Sequence, residues 1–325
     1  MKILILALVV CMPWTLSAQA QLSIGDKTAV EFATVEEGTR ILGTADDFSQ
    51  RMSPFDRSLR MRKAGSFSEQ EFLAYAGSNV MAWSDAEREG VTAAFRNIQP
   101  QLEALSLKLP QVVHIIKTSG LEEGGAAYTR ANAIIIPEAI LGAPPEEIER
   151  LICHELFHVM SRGNPELREK LYQSIGFEYC GEVPFPAQLL SRKMTNPDAP
   201  RNDHCIQVKF GNNSRWAVPI LYSDVMTYDP ERGGEILEYL QFKIMLVDWP
   251  DKAAGAIPSK LSQGAELLGL SKVSGFFEQV GRNTGYIIHP EEILADNFVL
   301  LVRQKSDIPS PAIVTEMGKI MNEGD

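Results

Sequence analysis

Ile148-Glu149-Arg150-Leu151-Ile152-Cys153-His154-Glu155-Leu156-Phe157-His158-Val159-Met160 is the stretch on which the reading of this chain turns. At its centre stands H-E-x-x-H, written here His154-Glu155-Leu156-Phe157-His158, in a chain with only five histidines. Residues four apart share one face of a helix, so both imidazoles can aim at a single ion. Glu155 is then placed to take a proton from a water held by that ion. The flanks are those of a helix: Pro144 and Pro145 precede an acidic first turn of Glu146, Glu147 and Glu149, and Arg162-Gly163 closes the run. Leu151, Ile152, Leu156, Val159 and Met160 supply an apolar setting. The plainer alternative is an amphipathic helix with two incidental histidines.

A catalytic zinc takes three protein ligands and leaves a fourth position for water. A third His six residues beyond the second is absent, because position 164 is Asn, and no Gly-x-x-His follows, so the metzincin pattern is excluded. Further along, His289-Pro290-Glu291-Glu292-Ile293-Leu294-Ala295-Asp296 reads as a second helix start, with Pro290 opening an acidic first turn before Phe298-Val299-Leu300-Leu301-Val302. Glu292 and Asp296 are four apart and share a face. One can bind a metal while the other accepts a hydrogen bond from the outer nitrogen of a ligand His.

H-E-x-x-H followed by a helical E-x-x-x-D resembles the gluzincin metallopeptidases, the thermolysin-like branch of the zincins. The resemblance covers the two motif helices and the strand before the first, roughly 111–163 and 283–303. It implies His154, His158 and Glu292 as zinc ligands, Glu155 as general base, and Asp296 as the carboxylate that orients a ligand His. It implies an α+β, zincin-like fold: a small mixed or antiparallel sheet packed on the H-E-x-x-H helix, with a mainly helical second lobe. It also implies that an edge strand, here 131–136, pairs with an extended peptide substrate. The 134 residues from His158 to Glu292 depart from the close spacing of thermolysin-like members, so a large insert lies between the helices. His204, His289 and Glu291 remain rivals of Glu292 as third ligand. For an oxyanion donor, His289 and Tyr286 are the candidates, against a packing role for the Tyr.

Toward the N-terminus, Lys2, the apolar Ile3–Val10 and Ala18-Gln19-Ala20 form an export segment with cleavage after Ala20. The apolar run falls short of the ~20 residues that span a bilayer. The expected location is the periplasm or outside the cell. The remaining 305 residues carry 42 acids against 30 bases (31 less Lys2), a net charge of −12. That balance disfavours nucleic acid and anionic membranes as partners. Cys153 reads as a small buried hydrophobe, while Cys180 and Cys205 either pair in an oxidising compartment or stay as thiols.

Taken in order, the expected divisions are 1–20 for export, 21–110 helical, 111–175 a sheet plus the H-E-x-x-H helix, 176–230 a loop and strand insert, and 231–325 a helical lobe carrying the third ligand. Phe67-Ser68-Glu69-Gln70-Glu71 reads as a capped helix start and 86–107 as a further helix. The β-branched Gln111-Val112-Val113-His114-Ile115-Ile116-Lys117 reads as a strand, with His114 in a structural role, and 127–137 as another. Helices are expected at 164–175, 234–246, 259–268 and 274–281. Tyr222, Asp224 and Tyr228 are candidates to line a cleft. No Gly-x-Ser-x-Gly, Walker loop or dinucleotide fingerprint competes with the metal motif. The functional expectation is an exported zinc peptidase acting on a peptide or protein. The alternatives are a non-catalytic zincin-like scaffold and a zinc amidohydrolase acting on cell-wall peptide.

Overall fold

Two sheets and the helices packed on them organise this α+β protein, seen here as a computed structural model that describes residues 22–25, 27–185, 187–259 and 265–322. The export segment lies outside these residues. Strands β1 (Ser23–Ile24) and β2 (Thr28–Phe32) precede four helices: α1 (Val35–Leu42), α2 (Asp47–Arg51), α3 (Pro54–Arg60) and α4 (Glu69–Ser78). The N-terminal region is therefore helical apart from two strands that local pattern did not announce. Ser68 caps α4 in a reciprocal box with Glu71, as its sequence predicts. Helix α5 (Asp85–Glu103) matches the expected helix over 86–107.

The first sheet adds β3 (Val112–Thr118), β4 (Tyr128–Arg130) and β5 (Ala133–Pro137), in the order β1-β2-β3-β5-β4. The pairs β2–β3 and β3–β5 are parallel, and the two outer pairs are antiparallel. Both faces are covered. Ile134 and Ile136 pack with Ile152 and Leu156 of α6 (Pro145–Gly163), whereas Ala133 and Ile135 pack with Phe48 and Phe72. A strand buried on both faces reads as a continuous apolar run, which is what Ile134-Ile135-Ile136 is. Burying each such side chain contributes about 1.5–3 kcal/mol.

The strand expected over 127–137 is in fact this β4–β5 hairpin, turning at Ala131 with φ +50°. Its second arm is interior, between β3 and β4. The expected substrate-pairing edge at 131–136 is thus corrected to an internal strand, and the edge on that side is β4.

After α6 come α7 (Pro165–Ser174), β6 (Phe177–Tyr179), α8 (Ala187–Leu190), β7 (His204–Phe210) and β8 (Asn213–Ser223). The short α9 (Ile236–Tyr239) leads into β9 (Leu240–Asp248), followed by β10 (Ile257–Pro258) and β11 (Leu267–Leu268). These strands form an antiparallel second sheet, β10-β9-β8-β7-β6, with β11 also on β9. The helix expected at 234–246 is mostly β9. Its eight-residue register with β8 sends Ile244 and Leu246 to one cluster and Met245 and Val247 to another. The helix expected at 259–268 is absent where described: Leu267–Leu268 is a strand, and 260–264 lie outside the described residues. The C-terminal lobe is consequently less helical than expected. It ends in α10 (Phe276–Val280), α11 (Pro290–Val302) and α12 (Pro311–Asn322).

Cys153, Cys180 and Cys205 are buried free thiols. Burial pushes the Cys153 thiol up to about 12, as befits an inert packing residue. Cys180 and Cys205 touch through a hydrogen bond and are not joined.

Candidate metal centre

Two helices far apart in sequence make the site. Pro145 and Pro290 each stand in the first turn of their helix, where the missing N–H costs nothing. Helices α6 and α11 then pack along their lengths, with Phe157 against Phe298 at 5.8 Å between ring centroids. This contact faces His154 and His158 toward Glu291, Glu292 and Asp296.

Each imidazole is gripped at Nδ1 by a carboxylate. Asp296 Oδ1 lies 3.0 Å from His154 Nδ1, and Glu291 Oε1 lies 3.1 Å from His158 Nδ1. Both Nε2 atoms therefore turn to Glu292, whose Oε2 lies 3.1 Å from His154 Nε2 and 3.6 Å from His158 Nε2. The other Glu292 oxygen accepts from Asn196 Nδ2 at 2.6 Å. Further partners hold the orienting carboxylates. Ser161 Oγ and Tyr172 Oη donate to Glu291 Oε2 at 2.8 and 2.5 Å, and Thr284 Oγ1 donates to Asp296.

Donor atoms of His154, His158 and Glu292 all lie within 4.8 Å of one another, close enough to share a metal ion. His158 Nε2 and Glu155 Oε2 are buried with no hydrogen-bond partner. An unsatisfied buried polar atom costs about 1–3 kcal/mol, so two in one centre ask for a ligand. The donor set, two imidazoles and one carboxylate, suits zinc. A second group joins Glu155, His158 and Asp198 within the same 4.8 Å limit. It shares His158 with the first, so the two are faces of one centre.

Electrostatics follow from burial and pairing. Burial lowers the His154 pKa, but hydrogen bonds to Asp296 and Glu292 outweigh it and push the group up to about 9. Glu292 goes the other way. Burial raises it, yet the two imidazoles hold it well below the usual carboxylate range. Glu155 has no such donor, so burial and the nearby Asp198 charge push it up to about 8.

No protein family, curated protein or solved structure matches this chain. The site is therefore judged on its own geometry.

Of the residues singled out from sequence, His154, Glu155, His158, Glu292 and Asp296 come together. Tyr286 joins them at the rim, its ring 6.3 Å from that of His154. Burial and the carboxylates of Glu292, Asp198 and Glu155 raise its hydroxyl, which keeps its proton as a donor. His289 is corrected. Its Nδ1 accepts from the Glu291 N–H as the cap of α11, and its Nε2 faces the Arg201 carbonyl at 3.2 Å. Both nitrogens are engaged outside the centre, so neither is free to meet a metal or an oxyanion there. His204 is also elsewhere, held between Asp203 at 2.6 Å and Glu169 at 3.1 Å. Glu291, a rival ligand by sequence, instead orients His158.

Several contributors, Tyr172 among them, escaped the sequence reading. Asn196, Asp198 and Thr284 are polar residues of loops, and nothing local marks them. Ser161 was within reach, since it follows His158 by one helical turn. A cleft of about 440 Å³ opens beside the centre, walled by Met194, Leu221, Ile236, Leu240, Tyr286 and Ile288. Of the expected cleft residues, Tyr228 is instead buried against Tyr239.

Proposed function

We propose that this protein is a zinc-dependent peptidase of gluzincin type, with a zincin-like catalytic half, that is exported and acts on peptide or protein. One observation carries the reading: His158 Nε2 and Glu155 Oε2 are buried without partners beside a Glu292 oxygen that two oriented imidazoles already face.

His154, His158 and Glu292 would hold the metal. When bound, zinc supplies a Lewis acid that lowers the pKa of water to near 7 and polarises a carbonyl. The chain's own groups do the rest. Asp296 and Glu291 fix both rings with Nε2 inward, as ligand histidines require. Glu155 takes the proton from the attacking water and hands it to the leaving amine. Tyr286 donates its hydroxyl hydrogen to the oxygen on which charge develops. The 440 Å³ cleft receives the substrate chain.

A hydrolase acting on the amide of a cell-wall peptide would use the same centre. A zincin-like scaffold without turnover would need Glu155 to be idle. The deciding experiment measures zinc per chain and cleavage of a peptide library by the native protein and by Glu155→Gln. One zinc in both, with cleavage only in the native protein, supports the peptidase. No zinc after zinc is supplied sinks it, and zinc without cleavage of any amide substrate leaves the scaffold.

A further inference from the structure

The open edge of the first sheet is not free. Strand β4 turns the N–H of Thr129 outward, away from its partner β5, where an added strand would place a carbonyl oxygen. Asp198 Oδ1 fills that place, accepting from Thr129 N at 2.7 Å and from Thr129 Oγ1 at 2.8 Å. In the turn that follows β4, the Ala131 carbonyl takes a hydrogen bond from Arg162 Nη1 at 2.9 Å. Arg162 Nη2 then bonds Thr129 Oγ1 at 2.9 Å and reaches the Pro197 and Asp198 carbonyls at 3.4 and 3.3 Å.

Segment 195–203 thus lies as a strap along the edge. It also enters the centre. Asn196 bonds Glu292, and Asp198 brings a carboxylate oxygen within 4.8 Å of Glu155 and His158. The ends of the strap are anchored firmly. Thr195 donates its N–H to Asp56 and accepts from Arg60, while the Asn202 and Asp203 carbonyls accept from the Val183 and Cys180 N–H groups. Between those anchors, among the described residues, the hydrogen bonds holding 196–201 run through side chains. Such a segment lifts without breaking a ladder.

We infer that the 195–203 strap is a built-in substrate mimic, which occupies the β4 edge by placing the Asp198 carboxylate where an extended peptide must present a carbonyl. The inference rests on the peptidase reading for its meaning, though its test does not. Opening frees the Thr129 N–H and the space before Glu155 together, so one movement admits the chain and exposes the general base. Arg162 is the buckle, one helical turn beyond His158 on the same helix.

The test uses the full-length protein in a Glu155→Gln background, with a fluorescein-labelled heptapeptide of alternating valine and threonine as the probe. Asp198→Ala should bind the probe about tenfold more tightly and speed hydrogen exchange at the Thr129 amide. Asp198→Asn, which keeps an acceptor oxygen, should behave like its parent. Arg162→Gln, which opens the strap from the other side, should tighten binding as Asp198→Ala does and decides the matter where that variant does not fold. Unchanged or weaker probe binding, or an equally protected Thr129 amide, overturns the mimic and makes the strap a fixed wall of the cleft. Zinc content and hydrolysis of the same probe with Glu155 intact judge the peptidase reading separately.

Discussion

Among the described residues, two histidine–carboxylate clusters invite comparison, and they differ in how the ring nitrogens are used. At the α6–α11 contact, His154 and His158 each spend Nδ1 on a carboxylate and turn Nε2 to the shared Glu292. Beside α7, His204 spends both nitrogens, one on Asp203 and one on Glu169. Burial and pairing leave both His154 and His204 near a pKa of 9, so titration does not tell the clusters apart. The separation lies in geometry. The first cluster leaves a buried ring nitrogen, His158 Nε2, with no partner, whereas in the second both nitrogens of His204 are bonded, even though Glu169 Oε1 is buried there without one.

The contrast breaks most visibly at Glu155. Glu155→Gln should cut peptide hydrolysis by about 10²–10⁴-fold and leave zinc content intact, read by turnover against elemental analysis. Equal losses of zinc and turnover would make Glu155 a ligand rather than a base. Next in size is the orienting pair. Asp296→Asn and Glu291→Gln should each weaken zinc binding about 10–100-fold in a chelator competition, whereas Asp203→Asn should not change it. A comparable loss with Asp203→Asn would erase the distinction between the clusters.

Proton coupling sharpens it further. Burial lowers and carboxylate pairing raises each imidazole, with a net rise above the ordinary 6.5 for His154 and His204 alike. Their ion pairs therefore stabilise the metal-free protein fully below that pH and are lost as pH climbs through about 9. On the proposed reading His154 would give up its proton to a metal, as would His158, whose carboxylate partners also raise it, and His204 would not. Zinc affinity should rise from pH 7 to 9, with proton release visible by calorimetry in buffers of different ionisation enthalpy. Affinity flat across that range would place the metal away from His154. The smallest effect belongs to a residue in neither cluster: Ser68→Ala should cost about 1 kcal/mol in urea unfolding and leave zinc affinity alone.

The legible parts of this molecule are those whose signals are local. Pro145 with its acidic turn, Pro290 with Glu291 and Glu292, and the Ser68–Glu71 box each announce a helix within four residues, and the structure has all three. The pairing of His154 and His158 needed only helical spacing. Strand β9 was misread because an apolar run buried on both faces carries no period, and only its register with β8 makes it a strand. The roles of Asn196 and Asp198 were beyond reach for a different reason. A polar loop residue acquires its partner from the path of the whole chain, and Asp198 meets Thr129 across 69 residues. His289 misled by proximity, since standing next to Glu291 made it the cap of the helix rather than a member of the centre.

The separation of α6 from α11 also has a bearing on synthesis. The two histidines leave the ribosome 134 residues ahead of Glu292, and Glu291 and Asp296 emerge with it. A chain that ends before α11 therefore holds Glu155 and two unsteadied imidazoles, and lacks Glu292 and the carboxylates that aim the rings. The centre comes together late and all at once, when α11 docks. On the proposed peptidase reading, a nascent fragment would be inactive.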